Sequence, residues 1–236
     1  MRRTSLSLRP PGRVSLIIPT YNEAARIGAL VGYLRRAGAT DILVADGQST
    51  DGTVLAAARA GATGLRCPRR GRAAQLNYGA GRAGGAVLYF LHADTTPPPD
   101  FLARIGAAVA GGAGSGCFRL RFDHRHWFLR ANAWATRFNV LPVRFGDQSL
   151  FVRRAVFEAA GGYRADFQLL EDQEIVGRLR RLAPFRVLPA YVVTSARKYL
   201  KNGVFRLQGI FALLVLLYRL GASQTRLARV YRRLVR

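Results

Sequence analysis

Leu91-His92-Ala93-Asp94 and Leu170-Glu171-Asp172-Gln173-Glu174 set carboxylates beside apolar runs in a chain with only 13 acidic residues among 236. The first follows Ala86-Val87-Leu88-Tyr89-Phe90, which reads as a buried strand. The second opens a helical stretch. A carboxylate at the carboxyl end of a parallel strand reaches into the crevice where open α/β sheets bind nucleotides. A second acidic pair arriving from elsewhere supplies a base. One carboxylate to hold a metal on a diphosphate and another to deprotonate an acceptor are what transfer of an activated sugar needs.

Three further segments carry polar groups at the ends of predicted elements. Ile18-Pro19-Thr20-Tyr21-Asn22-Glu23 sits where a first strand turns into a helix. Pro19 is expected to end the strand, Asn22 to cap, and Glu23 to lie in the first helical turn, where a carboxylate suits the dipole. Asp46-Gly47-Gln48-Ser49-Thr50-Asp51-Gly52-Thr53 ends the next strand, with Asp46 placed to accept from a base N–H or a ribose hydroxyl. Arg69-Arg70-Gly71-Arg72-Ala73-Ala74-Gln75-Leu76-Asn77 is a basic turn entering a helix, the makings of an anion site. Taken singly, each also reads as an ordinary capped turn or solvated loop.

The elements that position these groups alternate. Val14 to Ile18, Ile42 to Ala45, Leu65 to Cys67 and Ala86 to Leu91 read as strands. Ala24, Ile27, Leu30, Val31 and Leu34 recur at helical spacing, and Thr53–Ala60, Arg72–Ala83 and Asp100–Ala110 read as helices, with Ser49 and Asp51 as candidate caps. This alternation argues for an α/β fold with a mostly parallel central sheet. After Gly111 the pattern loosens: Cys117–Phe122 is strand-like, and Trp127–Phe138, Arg154–Ala160 and Glu171–Leu182 look helical. The length suits one core with appendages. The expected division is a main domain over 1–200, with a nucleotide half over 14–96 and an acceptor half over 97–200, followed by a basic amphipathic helical tail over 201–236.

Charge points to anionic partners. The net charge is +24, and Glu174 is the last acidic residue, so everything from Ile175 to Arg236 is uncompensated. Such a field attracts nucleotide diphosphates or an anionic membrane surface. Arg is nearly the sole cation, which codon bias alone would also produce. A nucleic-acid binder would interleave aromatics with the cations, and the basic C-terminal part has few, so no nucleic acid is expected. Leu207 to Tyr218 is apolar almost all round but spans twelve residues, short of the ~20 a membrane span needs. It reads as a buried core helix or as one lying on a bilayer. The segment from Ser223 to Arg236 favours the bilayer, pairing Leu227, Val230, Tyr231 and Leu234 with Arg226, Arg229, Arg232 and Arg233. Met1 to Leu6 is basic without an apolar run and reads as no signal peptide. Cys67 and Cys117 form no metal-ligand spacing or disulfide framework, which favours a reducing, cytoplasmic setting.

In this order the segments resemble the family 2 glycosyltransferases with the GT-A fold. The motifs are Pro19-Thr20-Tyr21-Asn22-Glu23, Asp46 through Thr53, Arg70-Gly71-Arg72 with Asn77, His92-Ala93-Asp94, and Glu171-Asp172, spread over Val14 to Leu182. Gly146-Asp147-Gln148 and the compact basic tail resemble a small bacterial subgroup, some members of which are linked to arsenosugar biosynthesis. The resemblance implies that Pro19, Thr20, Tyr21 and Glu23 line the nucleotide pocket and that Asp46 contacts the base. It implies that Asp94 coordinates Mg²⁺ or Mn²⁺ on the donor diphosphate, within a donor site that also takes Arg72, His92 and Ala93. It implies Asp172 as general base with Glu171 beside it, and inversion at the anomeric centre by direct displacement. Many members carry Asp where this chain has His92. Mg²⁺ tolerates that, being held by one or two carboxylates plus phosphates and water, whereas imidazole suits softer metals.

The expected partners are a nucleotide-sugar donor and a hydroxyl acceptor, lipid-linked if the tail docks the enzyme on the inner face of the cell membrane. The rival enzyme class is a nucleotidyltransferase, which would carry a Gly-rich basic loop after the first strand, where Pro19-Thr20-Tyr21-Asn22-Glu23 stands instead.

Overall fold

The computed structural model describes residues 12–141 and 146–235. Met1 to Leu6, read above for targeting, and Arg236 at the end of the tail lie outside the described residues. The first half alternates β1 (Val14–Thr20), α1 (Ala24–Arg36), β2 (Asp41–Asp46), α2 (Thr53–Arg59), β3 (Thr63–Arg66), α3 (Arg72–Ala80) and β4 (Val87–Phe90). Its four strands pair in parallel in the order β3-β2-β1-β4. The second half holds β5 (Thr95–Thr96), α4 (Phe101–Ala110), β6 (Ser115–Phe122), α5 (Trp127–Ala135), β7 (Leu150–Arg153), α6 (Arg154–Ala159), α7 (Glu171–Leu182) and β8 (Phe185–Thr194). The same sheet continues β4-β7-β6-β8-β5, with β7 antiparallel to both neighbours, β6 parallel to β8, and β5 antiparallel to β8. The result is the expected α/β fold: a mostly parallel sheet flanked by helices.

Strands β1, β2 and β4 are apolar on both faces because both are covered, whereas the edge strand β3 is partly exposed. Leu16 and Ile18 of β1 join one core with Ile27, Val31 and Leu34 of α1 and Phe101 and Ile105 of α4. Ile17, between them, joins the opposite core with Ala73, Leu76 and Ala80 of α3 and Ile175 and Leu179 of α7. All three strand residues are fully buried, each contributing about 1.5–3 kcal/mol. Helix α3 lies close on this sheet: a Cβ on Gly79 would stand 2.5 Å from Ile17 Cγ2.

Pro19 does not end β1, which runs on to Thr20. The partner β4 pairs with β1 only as far as Ile17, while β2 continues past Pro19. The missing N–H therefore falls beyond the two-sided ladder.

The C-terminal segment forms α8 (Arg197–Asn202), α9 (Val204–Arg219) and α10 (Gln224–Leu234). Leu207 of α9 packs with Leu129 of α5 and Ala196 and Tyr199. Ile210 and Leu214 pack with Leu227 of α10, and Val230, Tyr231 and Leu234 join the same cluster. The apolar stripe of α10 is thus spent on α9. No helix among the described residues is long and apolar enough to cross a membrane.

Candidate active site

Four non-glycine residues hold positive φ among the described residues: Asn22, Gln48, Ser149 and Leu170. They lie after β1, after β2, just before β7 and just before α7. Such backbone costs on the order of 1–3 kcal/mol each and collects at functional sites. Three of the segments they shape, around Asn22, Gln48 and Leu170, bear predicted site residues; Ser149 follows the Gly146–Gln148 turn.

At the carboxyl ends of β1 and β2 the polar groups bind one another. Buried Asp46 accepts from the Thr20 hydroxyl at 3.2 Å, from Ser49 N at 2.8 Å, and from the Ser49 hydroxyl. Asn22 does not cap α1. Its Oδ1 accepts from Thr50 N at 3.0 Å, pinning the β2–α2 loop. Asp51 accepts from Thr53 N at 3.1 Å and Ala24 N at 3.1 Å, joining the starts of α2 and α1, while the N-cap position of α2 is Gly52 and Ser49 serves Asp46 instead. Glu23 occupies the N-cap position of α1 rather than its first turn, 3.3 Å from Arg26 and 3.7 Å from Arg197. Gln75 donates to Thr20 O at 2.8 Å and Ala45 O at 2.7 Å, tying the two strand ends together. Tyr21 is 52 % exposed beneath the Arg70 guanidinium, 5.2 Å from its ring centroid. An exposed ring beside a cation offers a stacking face.

The acids converge elsewhere. Gly71, at φ +122, turns the chain into α3, a backbone conformation open to glycine, and places Arg72 on the first helical turn. Leu170 does the same for α7, whose first turn presents Glu171, Asp172 and Glu174. Arg72 reaches across to Glu171 Oε1 at 3.3 Å and Asp172 Oδ2 at 3.5 Å. Glu174 is held apart by Arg178, Nε to Oε1 2.6 Å. Asn77 is bonded within the protein. It grips the Tyr163 backbone, donating to Tyr163 O at 2.7 Å and accepting from Tyr163 N at 2.9 Å, and so fixes the segment leading to α7 against α3.

His92 follows β4 and is shared. Its Nδ1 lies 3.1 Å from Arg72 Nη2 and 3.2 Å from Asp147 Oδ1. As N–H it donates to Asp147; as a lone pair it accepts from Arg72. Either way that nitrogen is committed within the protein, while the adjoining Ala93 packs against the core beneath β1. Asp94 Oδ1 has only a long contact to the Thr95 hydroxyl at 3.4 Å, and Asp94 O accepts from Ser195 N at 3.2 Å.

One cavity of about 270 Å³ takes in Arg72, Asp94, Asp147, Glu171 and Asp172. Lys198 also lines it, held by Tyr231 Oη at 2.8 Å. Its other wall is apolar, built from Leu120, Phe122, Leu169, Phe211, Leu214 and Val215. Pro19, Thr20, Tyr21, Glu23, Asp46, His92 and Ala93 do not line this cavity; the first five lie apart from it at the carboxyl ends of β1 and β2. Lys198 and Gln75 carry no sequence signal as isolated polar residues. Asp147 stands out in the sequence as part of Gly146-Asp147-Gln148, but nothing there pairs it with the distant His92.

Burial and then the Asp172 charge push the Glu171 carboxyl up to about 7, against the pull of Arg72. Burial pulls Arg72 down, but the charges of Asp172, Glu171 and Asp147 outweigh it and raise its guanidinium. Burial pushes Asp147 up, yet its hydrogen bond to His92 and the charges of His92, Arg72 and Lys198 hold it below the usual carboxylate range. The donor set fits a divalent ion only in part. Among the described residues no group of three or more His, Cys, Asp or Glu could hold a metal. A nearly free Asp94 suits an ion whose remaining ligands are phosphate oxygens and water.

A family model described as glycosyl transferase family 2 matches residues 15–160. Among solved structures, the mannosyltransferase PcManGT from Pyrobaculum calidifontis in complex with GDP-Man and Mn²⁺ aligns at TM-score 0.69 and 21 % identity, over 95 % of this chain and 71 % of its own. S. aureus TarS 1-349 in complex with UDP-GlcNAc aligns at TM-score 0.65 and 14 % identity, over 92 % of this chain and 70 % of its own. Glucosyl-3-phosphoglycerate synthase from Mycobacterium tuberculosis, in complex with Mg²⁺ and UDP, aligns at 0.57 and 17 % identity, over 76 % and 70 %. Comparison with curated proteins finds no match.

Proposed function

Because the chain belongs to glycosyl transferase family 2, we propose that it moves a sugar from a nucleoside diphosphate to an acceptor hydroxyl, inverting the anomeric centre. The observation that carries this reading is the convergence of Asp94, Arg72 and Asp172 on one cavity. Family membership also sets the nucleotidyltransferase alternative aside.

The donor half, 14–96, takes the nucleotide along Pro19, Thr20, Tyr21, Glu23 and Asp46, with Tyr21 offering a face to the base. Asp46 keeps Thr20 and Ser49 in place as it does so. Asp94 would hold Mg²⁺ or Mn²⁺, in keeping with the ions named in complex with two structural relatives. Such an ion neutralises charge on the leaving diphosphate. Arg72, bonded to His92 and lining the same cavity as Asp94, would meet a phosphate there as a cation, with His92 behind it. The acceptor oxygen attacks C1. The bond from C1 to the diphosphate oxygen breaks, and its electron pair leaves with the diphosphate. Asp172 takes the hydroxyl proton. Glu171, neutral below about pH 7, stands beside it as a hydrogen-bond donor.

The acceptor half, 97–200, and the tail, 201–236, supply the apolar wall of the cavity. That wall suits an acceptor whose hydroxyl is carried on an apolar body, lipid-linked or dissolved in a membrane. The enzyme then works as a peripheral protein on the cytoplasmic face. The likeness of Gly146–Gln148 and the basic tail to the subgroup linked to arsenosugar biosynthesis is the pointer to a pathway. A donor screen with purified protein, following nucleoside diphosphate release with and without Mn²⁺, tests the reading. Release from no nucleotide sugar under either condition would sink it.

A further inference from the structure

Helix α9 is two-sided in an unusual way. Leu207, Ile210 and Leu214 are buried against the protein. Its outward face repeats at helical spacing as Phe205, Gly209, Ala212, Leu213, Leu216 and, at the C-cap, Leu220, all exposed, with the exposed Arg206 and Arg219 at its two edges. Phe205, Leu213, Leu216 and Leu220 are 57 %, 40 %, 55 % and 73 % exposed. An ordinary surface helix would be polar there. At ~1.5 Å per residue the 16-residue helix presents an apolar strip on the order of 24 Å long. Its N-terminal end meets a second element: Phe205 lies 5.9 Å from Trp127 and 5.1 Å from Phe128 of α5, ring centroid to centroid, and Trp127 is 68 % exposed. Exposed aromatics converging from two parts of the chain are not stray surface residues.

The surroundings are cationic. Arg125, Arg130, Lys201, Arg206 and Arg219 are exposed, and no acid occurs after Glu174. A second copy of this chain is a poor occupant, because each copy carries +24. Nucleic acid would match the charge, but the exposed rings, Phe205 and Trp127, lie at one end, and Leu213, Leu216 and Leu220 along the rest of the strip offer bases nothing to stack on. An anionic bilayer answers both features, taking apolar side chains into the acyl boundary and cations at the headgroups.

We propose that the outward face of α9, with Trp127 at one end, is the surface by which this protein lies on an anionic lipid bilayer. This rests on the reading of a peripheral enzyme but moves the contact from α10, whose apolar stripe is packed internally. It also explains how an acceptor arrives. The inner face of α9 gives Gln208, Phe211, Leu214 and Val215 to the cavity that holds Asp172. One helix, ~10 Å across, then separates the bilayer from the catalytic cavity.

Full-length protein is sedimented with vesicles of neutral phosphatidylcholine or of phosphatidylcholine with phosphatidylglycerol. In a Trp134→Phe background, Trp127 fluorescence is read against brominated lipid. The expected result is anionic-lipid binding, with Trp127 shifted to the blue and quenched. Leu213→Ser/Leu216→Ser/Leu220→Ser should weaken binding ~10-fold or more, since each Leu contributes insertion energy. Circular dichroism melts check that the variant folds, and Phe205→Ser/Trp127→Ser is a second, independent probe. Unchanged binding in both folded variants overturns this surface and leaves a peripheral enzyme docked elsewhere. No binding of the wild type to either vesicle overturns the peripheral reading as well. A single-stranded oligonucleotide bound by the wild type and lost in both variants would reassign the face to nucleic acid.

Discussion

Glu171→Gln separates the two neighbouring carboxyls by their protons. Glu171 is 5 % exposed, and its carboxyl rises from an ordinary 4.5 to about 7. In the unfolded chain it loses its proton near the ordinary value, whereas in the folded protein it keeps it to about pH 7. Between those limits the unfolded state binds fewer protons, so rising pH favours unfolding. The stability the protonated group contributes is fully present below 4.5 and is lost as pH climbs through about 7. At ~1.36 kcal/mol per pH unit, the rise amounts to ~3 kcal/mol.

Gln at 171 has no proton to lose. The stability of Glu171→Gln minus that of wild type should therefore grow by ~3 kcal/mol from about pH 4 to about pH 8. For a chain of this size that is roughly 6–12 °C in Tm. Titrations distant from the site are shared by both proteins and cancel in the difference. Melting curves across this range, with urea midpoints at the two ends, give the answer. A difference flat with pH would mean that Glu171 ionises as in water. The argument that Asp172, and not Glu171, is the carboxylate available to take a proton would then lose its physical basis.

Asp172→Asn should keep nucleoside diphosphate affinity near wild type while lowering turnover ~10²–10⁴-fold; near-normal turnover would move the base to Glu171 or Asp147. Asp94→Asn should remove the Mn²⁺-dependent part of nucleoside diphosphate binding in calorimetry, and undiminished affinity would take Asp94 out of the metal role. Gly79→Ala forces a methyl against Ile17 and should cost about 1–3 kcal/mol in urea unfolding. Because α3 carries Arg72, donor affinity should fall with it. An unshifted urea midpoint would mean that α3 is not seated on β1 as described.

In the parallel half β1, β2 and β4 were readable because they are covered on both faces and appear as apolar runs, whereas the partly exposed edge strand β3 runs over Thr63–Arg66 and not the expected Leu65 to Cys67. Helix α7 could be bounded at Glu171 and Leu182 from charge and periodicity. The second half resisted for local reasons. Strand β8 contains Pro189, which reads as a break. In the sheet, the register with β6 jumps from Leu188 to Tyr191 opposite Phe118 and Arg119, so Pro189 falls in the irregularity where no ladder bond is needed. Strand β7 is four residues long and carries no turn signal that would announce an antiparallel strand between β4 and β6.

Site chemistry was legible where it depended on residue type and hidden where it depended on partners. Acids are so scarce that Asp94, Glu171 and Asp172 stand out, and Arg72 at a helix start reads as an anion site. Spacing says nothing about which anion, and the structure answers with protein carboxylates. Arg72 lies 3.3 Å from Glu171 and 3.5 Å from Asp172. Nor does spacing pair His92 with Asp147, 3.2 Å apart. These pairings arise because β7 brings the 146–148 turn beside the end of β4, and α3 and α7 pack on one sheet face. A local motif can name a charged group, but only the sheet order decides which opposite charge it meets.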